Sequence, residues 1–109
     1  MEKIKIYNAT NFIKYLDELV FILYREDYFQ YIENAFEYTL KIYDFIDFSI
    51  QSFPRKKTPK SLLKYGDFYI FYKSNSRTTW YIFFSQKETT YLIKHITNNH
   101  SFDSNLIND

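Results

Sequence analysis

The chain opens on an alternation. Lys3-Ile4-Lys5-Ile6-Tyr7 sets apolar side chains at every second position, the period of a strand with one buried face. The period then lengthens. Between Asn11 and Arg25, Phe12, Leu16, Leu19 and Leu23 recur at spacings of four, three and four, with Ile13 and Val20 beside them, while Lys14, Asp17, Glu18 and Arg25 fall mostly on the other face. This pattern predicts an amphipathic helix, with Thr10 or Asn11 placed to cap it. A second helix is predicted from Asp27 to Ser52, opened by a capping-box-like pair, Asp27 and Gln30, and stopped by Pro54. Within it Phe29, Phe36, Tyr43 and Ile50 recur every seven residues, and Ile32, Leu40 and Phe53 fill the same stripe. That spacing suits antiparallel packing against the first helix, and the same stripe could instead form a dimer seam.

Pro54 to Ser61 reads as an exposed loop, with two prolines, four bases and no large apolar residue. Three strands follow, at Phe68–Lys73, Thr78–Ser85 and Thr89–Thr97, each rich in Phe, Tyr, Ile, Thr or Trp. The polar stretches 74–77 and 86–88 are short enough to be hairpin loops. Residues 98–109 form a polar, loosely docked tail with Phe102, Leu106 and Ile107 as anchors. The expected fold class is α+β: an N-terminal strand, a two-helix hairpin and a three-stranded antiparallel meander. These make one four-stranded sheet in a single domain spanning 1–109, with the helices packed on one face and the other at least partly open.

Composition narrows the chemistry. No cysteine is present, which removes disulfides, thiolate metal sites and cysteine nucleophiles. A single glycine, Gly66, excludes glycine-rich phosphate loops. Two histidines make a multi-histidine metal site a poor expectation, so neither metal nor small-molecule cofactor is expected. Every apolar run is broken by charge well short of the ~20 residues of a membrane span. The N-terminus has no signal-peptide pattern, so a soluble cytoplasmic domain is expected. The 12 Tyr, 12 Phe and one Trp accompany abundant Ile, Asn and Lys, as AT-rich codon usage would produce, so aromatic richness alone does not mark a stacking site.

Net charge is +1, but its distribution is uneven. Residues 1–53 hold five basic and nine acidic groups, net −4, and residues 54–109 hold nine and four, net +5. Within 55–77, seven bases (Arg55, Lys56, Lys57, Lys60, Lys64, Lys73, Arg77) face Asp67 alone. An anionic partner at the basic end is one reading and a solubilising loop is the other.

The element order, the length, and the run Thr78-Thr79-Trp80-Tyr81-Ile82-Phe83-Phe84 followed by Tyr91-Leu92-Ile93-Lys94-His95-Ile96-Thr97-Asn98-Asn99-His100 resemble the RelE/ParE toxin superfamily, over about residues 3–101. The resemblance implies the toxin of a type II toxin–antitoxin system, with a cognate antitoxin as partner. It also implies an mRNA endoribonuclease that works on the ribosome without a metal. In that chemistry a base activates the 2′-OH, a cation stabilises the phosphorane and an acid protonates the leaving oxygen. Carried over, His100 stands where family members have a His or Arg just past the last strand. Lys73 and Arg77 stand at the turn between the first two meander strands. Trp80, Tyr81, Phe83 and Phe84 occupy the strand interior where catalytic bases would be. That leaves open a non-catalytic module on the same fold, either a gyrase- or other protein-targeting ParE-like inhibitor or an inactive relative.

The candidate catalytic residues are therefore His100, Arg77, Lys73, His95 and Tyr91. Strict alternation places His95 with Tyr91 and Ile93 on one strand face, where Tyr91 and His95 would make a polar pair; a packed histidine sharing hydrogen bonds with tyrosines is the alternative. Arg55, Lys56, Lys57, Lys60 and Lys64 are the candidate RNA-binding residues, able to track a phosphate backbone. Trp80, Phe83 and Phe84 are read as core, pointing alternately to the two faces of the sheet.

Overall fold

The computed structural model describes residues 3–25 and 32–100. The predicted alternation near the N-terminus appears as β1 (Lys5–Asn8), followed by α1 (Thr10–Arg25) and α2 (Ile32–Ser49). A two-residue strand β2 (Lys56–Lys57), a 3₁₀ helix (Lys60–Tyr65) and the strands β3 (Phe68–Lys73), β4 (Thr79–Lys87) and β5 (Thr90–Asn98) complete the chain. The sheet is mixed and five-stranded, in the order β1-β5-β4-β3-β2. β3, β4 and β5 form the antiparallel meander, and β1 lies parallel to β5 with Lys5 opposite Thr90. Among the described residues no helix is long and apolar enough to cross a membrane.

α1 buries Phe12, Leu16, Leu19 and Val20, as its spacing predicts. Neither expected cap lies outside the helix: Thr10 is its first residue, and the carbonyl of Ala9 accepts from Ile13 N–H at 3.1 Å. α2 departs from part of its predicted stripe: Ala35, Thr39, Ile42 and Ile46 are buried, whereas Phe36 and Leu40 are 55% and 45% exposed. Ile50, just past the helix, is buried as the stripe predicts, and Tyr43 and Phe53 pack against the core. A straight helix drifts by ~20° per heptad from a seven-residue repeat, and α2 packs more closely on α1 than on any strand, a contact that favours compact side chains. The proposed start at Asp27 and its Gln30 pair lie outside the described residues.

The loop expected at Pro54–Ser61 is instead a second covering layer. Lys56 and Lys57 pair with Tyr69 and Phe68 as an edge strand, Thr58 is buried, and the 3₁₀ helix folds over the sheet face opposite the two helices. Its three-residue turn sends Leu62 and Tyr65 inward, against Tyr69, Phe83 and Tyr81, and Lys60 and Leu63 outward. The sheet is therefore buried on both faces over half its length. On the helix side Ile70, Trp80, Ile82, Phe84, Tyr91, Ile93 and Ile96 join the helix residues in one core. On the other side Phe83 is fully buried under the 3₁₀ helix. Each such apolar side chain contributes roughly 1.5–3 kcal/mol.

A β-bulge changes the phase of β5. Phe83 is paired with His95 and Phe84 with Ile93, so Lys94 is the extra residue. Tyr91 and Ile93 face the helices, but His95 faces the other side, where its ring stacks on Tyr65 at 3.8 Å and 11°. The expected Tyr91–His95 pair is thus overturned: the two residues lie on opposite faces, and Tyr91 is 3% exposed. The bulge is held from α1, where the Asn11 side-chain amide donates to the Lys94 carbonyl at 3.1 Å, and Ala9 N–H donates to Ile93 at 2.8 Å. Asn98 belongs to β5, with Asn99 and His100 in the turn after it. The rest of the expected tail, including Phe102, Leu106 and Ile107, lies outside the described residues.

Gly66 joins the 3₁₀ helix to β3 at φ +142°, and a Cβ there would sit 2.8 Å from Phe84 N and 2.9 Å from Phe84 O. Because the obstacle is backbone in the central strand, Gly66→Ala should cost about 3 kcal/mol. The measurement is a lowered urea midpoint at unchanged m-value. Burial pushes up the Tyr43 hydroxyl pKa, and the nearby Asp17 carboxylate raises it further. The unfolded chain then loses this proton first as pH rises, so the stability present below pH ~10 should decline above it. Tyr43→Phe should flatten that alkaline decline, read as the melting temperature against pH.

Candidate functional site

Three chain segments meet at one end of the sheet: the end of β3, the turn 74–77 leading into β4, and the exit of β5. Asn75 shapes the turn by accepting from the N–H groups of Arg77 and Thr78 at 2.8 and 2.9 Å. Asn99 clips it to β5. The Asn99 side chain donates to the Arg77 carbonyl at 2.9 Å and accepts from Thr79 N–H at 2.9 Å, while its backbone N–H donates to the Thr79 carbonyl at 3.1 Å. His100 follows directly. Its N–H donates to the Asn98 side chain at 2.8 Å, and its Nε2 lies 3.3 Å from the Thr78 hydroxyl. Lys73 sits opposite Thr79 in the ladder.

The helix layer braces the same end. Trp80 Nε1–H donates to the Tyr38 hydroxyl at 2.9 Å, Tyr38 and the Ser74 hydroxyl are 2.8 Å apart, and Ser74 donates onward to the Thr78 carbonyl at 3.4 Å. With Trp80 as a pure donor, the chain runs one way, Trp80 to Tyr38 to Ser74 to Thr78. A buried indole on the sheet is thereby coupled through α2 to the turn that carries Arg77.

Of the sequence candidates, the structure brings Lys73, Arg77 and His100 together at this end, all exposed. It separates the other two. Tyr91 is buried under the helices towards the opposite end of β4, in register with Gln86, and His95 is packed against Tyr65 beneath the 3₁₀ helix. The basic candidates lie along the β2 edge and the 3₁₀ helix, and several rest on rings. The Arg55 guanidinium lies 4.8 Å from the Phe68 ring centre and 5.3 Å from that of Phe84, Lys56 Nζ lies 5.7 Å over Phe71, and Lys64 Nζ lies 5.0 Å over Tyr65. These contacts hold the charged groups themselves over ring faces, with Lys56 and Lys64 exposed and Arg55 half-buried.

Between the basic edge and the Lys73–Arg77–His100 end runs a cross-strand pair, Phe71 and Tyr81, on the sheet face away from the helices and only half-buried. Sequence reasoning did not single out this pair. Its signal was the shared parity of Phe71 and Tyr81 with Tyr69 and Phe83, which acquires meaning only once the covered half of that face is known. Lys56 lies over the Phe71 ring, Phe53 packs edge-on against it at 5.1 Å, and Lys73 follows two positions along the strand, so cations flank a half-buried aromatic strip completed by Tyr81. Such a surface can hold phosphates by charge and bases by stacking. Among the described residues no group of three or more His, Asp or Glu lies close enough to hold a metal ion together.

Set against known proteins, the chain matches no family model, no curated protein and no solved structure. The architecture defines it as an α+β domain with a five-stranded mixed sheet.

Asn99→Ala should free the turn from β5 without touching the core, because Asn99 is exposed. The amide of Thr79, which loses its acceptor, should exchange with solvent about fivefold faster, consistent with the loss of one ~1 kcal/mol hydrogen bond. Amides in the middle of β4 should keep their protection.

Proposed function

We propose that this domain binds single-stranded RNA across the open end of its sheet and cleaves it, as the toxin component of a type II toxin–antitoxin pair acting on ribosome-bound mRNA. The observation that carries the reading is the convergence of Lys73, Arg77 and His100 on one turn held by Asn99. The order of strand, helix hairpin and meander, which resembles the RelE/ParE toxins, supports it.

In this reading Arg77 and Lys73 hold the scissile phosphate, and Arg77 meets the charge that builds on the phosphorane. His100 accepts the 2′-hydroxyl proton as that oxygen attacks phosphorus, and the departing 5′-oxygen, on the far side of the phosphorus, takes its proton from water. The products are a 2′,3′-cyclic phosphate and a 5′-hydroxyl. Histidine suits this proton transfer because its ordinary pKa lies near neutrality. Lys56, Lys57, Lys60 and Lys64 add sequence-independent attraction along the strand leading in. The antitoxin is an acidic segment that orders on this basic edge and covers the site.

One observation favours a second reading, a binding module without chemistry. Lys73, Arg77 and His100 are all exposed to water, which weakens the electrostatic preorganisation that strong catalysis needs. Primer extension on a reporter mRNA, with wild type and variants expressed side by side, separates the two. His100→Ala should slow cleavage by roughly 10²-fold. Arg77→Ala should cost about 3 kcal/mol of transition-state stabilisation. Lys57→Ala should lower binding and its salt dependence while sparing the chemical step. Equal cleavage by wild type and His100→Ala removes His100 from the mechanism, and cleavage by neither favours the binding module.

A further inference from the structure

The two halves of the chain present surfaces that match each other. On the outer side of the helix hairpin a groove of about 510 Å³ is lined by Val20, Phe21 and Phe36, with the carboxylates of Asp17 and Glu33 at its rim. Phe21 and Phe36 are 62% and 55% exposed, so the apolar floor faces solvent. Over the described helix residues 17–25 and 33–37 stand Asp17, Glu18, Glu33 and Glu37, with Arg25 as the single base. On the other side of the molecule the 3₁₀ helix carries the inverse pattern. Leu63 is 48% exposed, Lys60 shares its outward side, Lys64 follows it, and no acid occurs from Arg55 to Lys64. One surface is an apolar groove in an acidic rim, and the other is an apolar knob among bases.

The chain cannot close this contact on itself. The 3₁₀ helix covers one face of the sheet and the hairpin covers the other, so the knob and the groove of one molecule are separated by the sheet. We propose that the groove between α1 and α2 receives the Leu63 knob of a second copy of this chain, head to tail, with Lys60 and Lys64 against Asp17 and Glu33. The contact is heterologous: a joined pair retains one free knob on one molecule and one free groove on the other, so association continues into a ring or a chain of copies rather than stopping at a symmetric pair. A net charge close to zero places little overall repulsion in its way. The inference concerns a surface remote from Lys73, Arg77 and His100 and stands whether or not RNA is cut.

Sedimentation velocity over a concentration series tests it. The wild type should associate progressively, and raising the salt well above physiological strength should weaken that association severalfold. Leu63→Glu removes the knob and Phe36→Lys removes the floor of the groove. Both positions are exposed, so unchanged circular dichroism should accompany a fall of about tenfold or more in the association constant. The decisive sample is a one-to-one mixture of these two variants. Leu63→Glu keeps an intact groove and Phe36→Lys keeps an intact knob, so the mixture should form a dimer and nothing larger. Phe48, 84% exposed on α2, supplies a control for unspecific stickiness, and Phe48→Ser should associate as the wild type does. A wild type that stays monomeric overturns the proposal. So does a mixture as monomeric as its components, or an association that disappears with Phe48→Ser.

Discussion

Phe83 and Phe84 are neighbours on the central strand and both are completely buried, which a strand allows only if both faces of its sheet are covered. The remaining architecture answers that demand. The helix hairpin lies over Phe84, and the 3₁₀ helix, with only six residues, lies over Phe83. Bringing so short a segment down onto the sheet forces a close backbone approach where it returns to β3, and this is where the chain uses its one glycine. The bulge at Lys94 belongs to the same solution. It turns His95 towards the 3₁₀ helix, where its stacked ring helps fill the second core, and leaves Tyr91 and Ile93 in the first.

Covering half of one face leaves the other half usable. The uncovered end of the sheet is built differently from the covered one, with hydrogen bonds from asparagine side chains in place of apolar packing. Asn75 and Asn99 satisfy the backbone of a turn and a strand exit that water would otherwise loosen. The Trp80–Tyr38–Ser74 chain ties that polar end to the helix layer. Exposed cationic groups are thereby mounted on a rigid frame, an arrangement suited to gripping an anion whose position must be fixed while its charge remains accessible.

The division of charge follows the division of layers. Acidic groups predominate on the helices, and the basic groups of 55–77 follow the sheet edge and the 3₁₀ helix, so the domain is electrically polar across its thickness. The two proposals meet on this surface, because the proposed RNA contact and the proposed head-to-tail contact both call on Lys60 and Lys64. If both hold, they compete, and a polyanion in sufficient amount would displace a second copy from these lysines.

How much was legible in the sequence differs by element. α1 and the three meander strands followed from local periodicity, because each has one strongly apolar face and packs along it. α2 was legible as a helix but only partly in register: Phe36 and Leu40 are more hydrophobic in isolation than Ala35 and Thr39, yet the smaller residues are the buried ones in a helix that packs chiefly on α1. The second cover was hidden. Two lysines have no strand alternation, and Leu62 and Tyr65 carry a three-residue period too brief to register, so β2 and the 3₁₀ helix become visible only through their pairing with β3 and their packing on Phe83 and Tyr69. Of the candidate site, sequence named Lys73, Arg77 and His100, whose chemistry is intrinsic to their side chains. It paired His95 with Tyr91 wrongly, because strict alternation cannot foresee an extra residue held in place from Asn11, 83 positions away in the chain. Local pattern determines what each segment can become. Which face it presents was decided by contacts between segments distant in sequence, and those exist only once the sheet has closed.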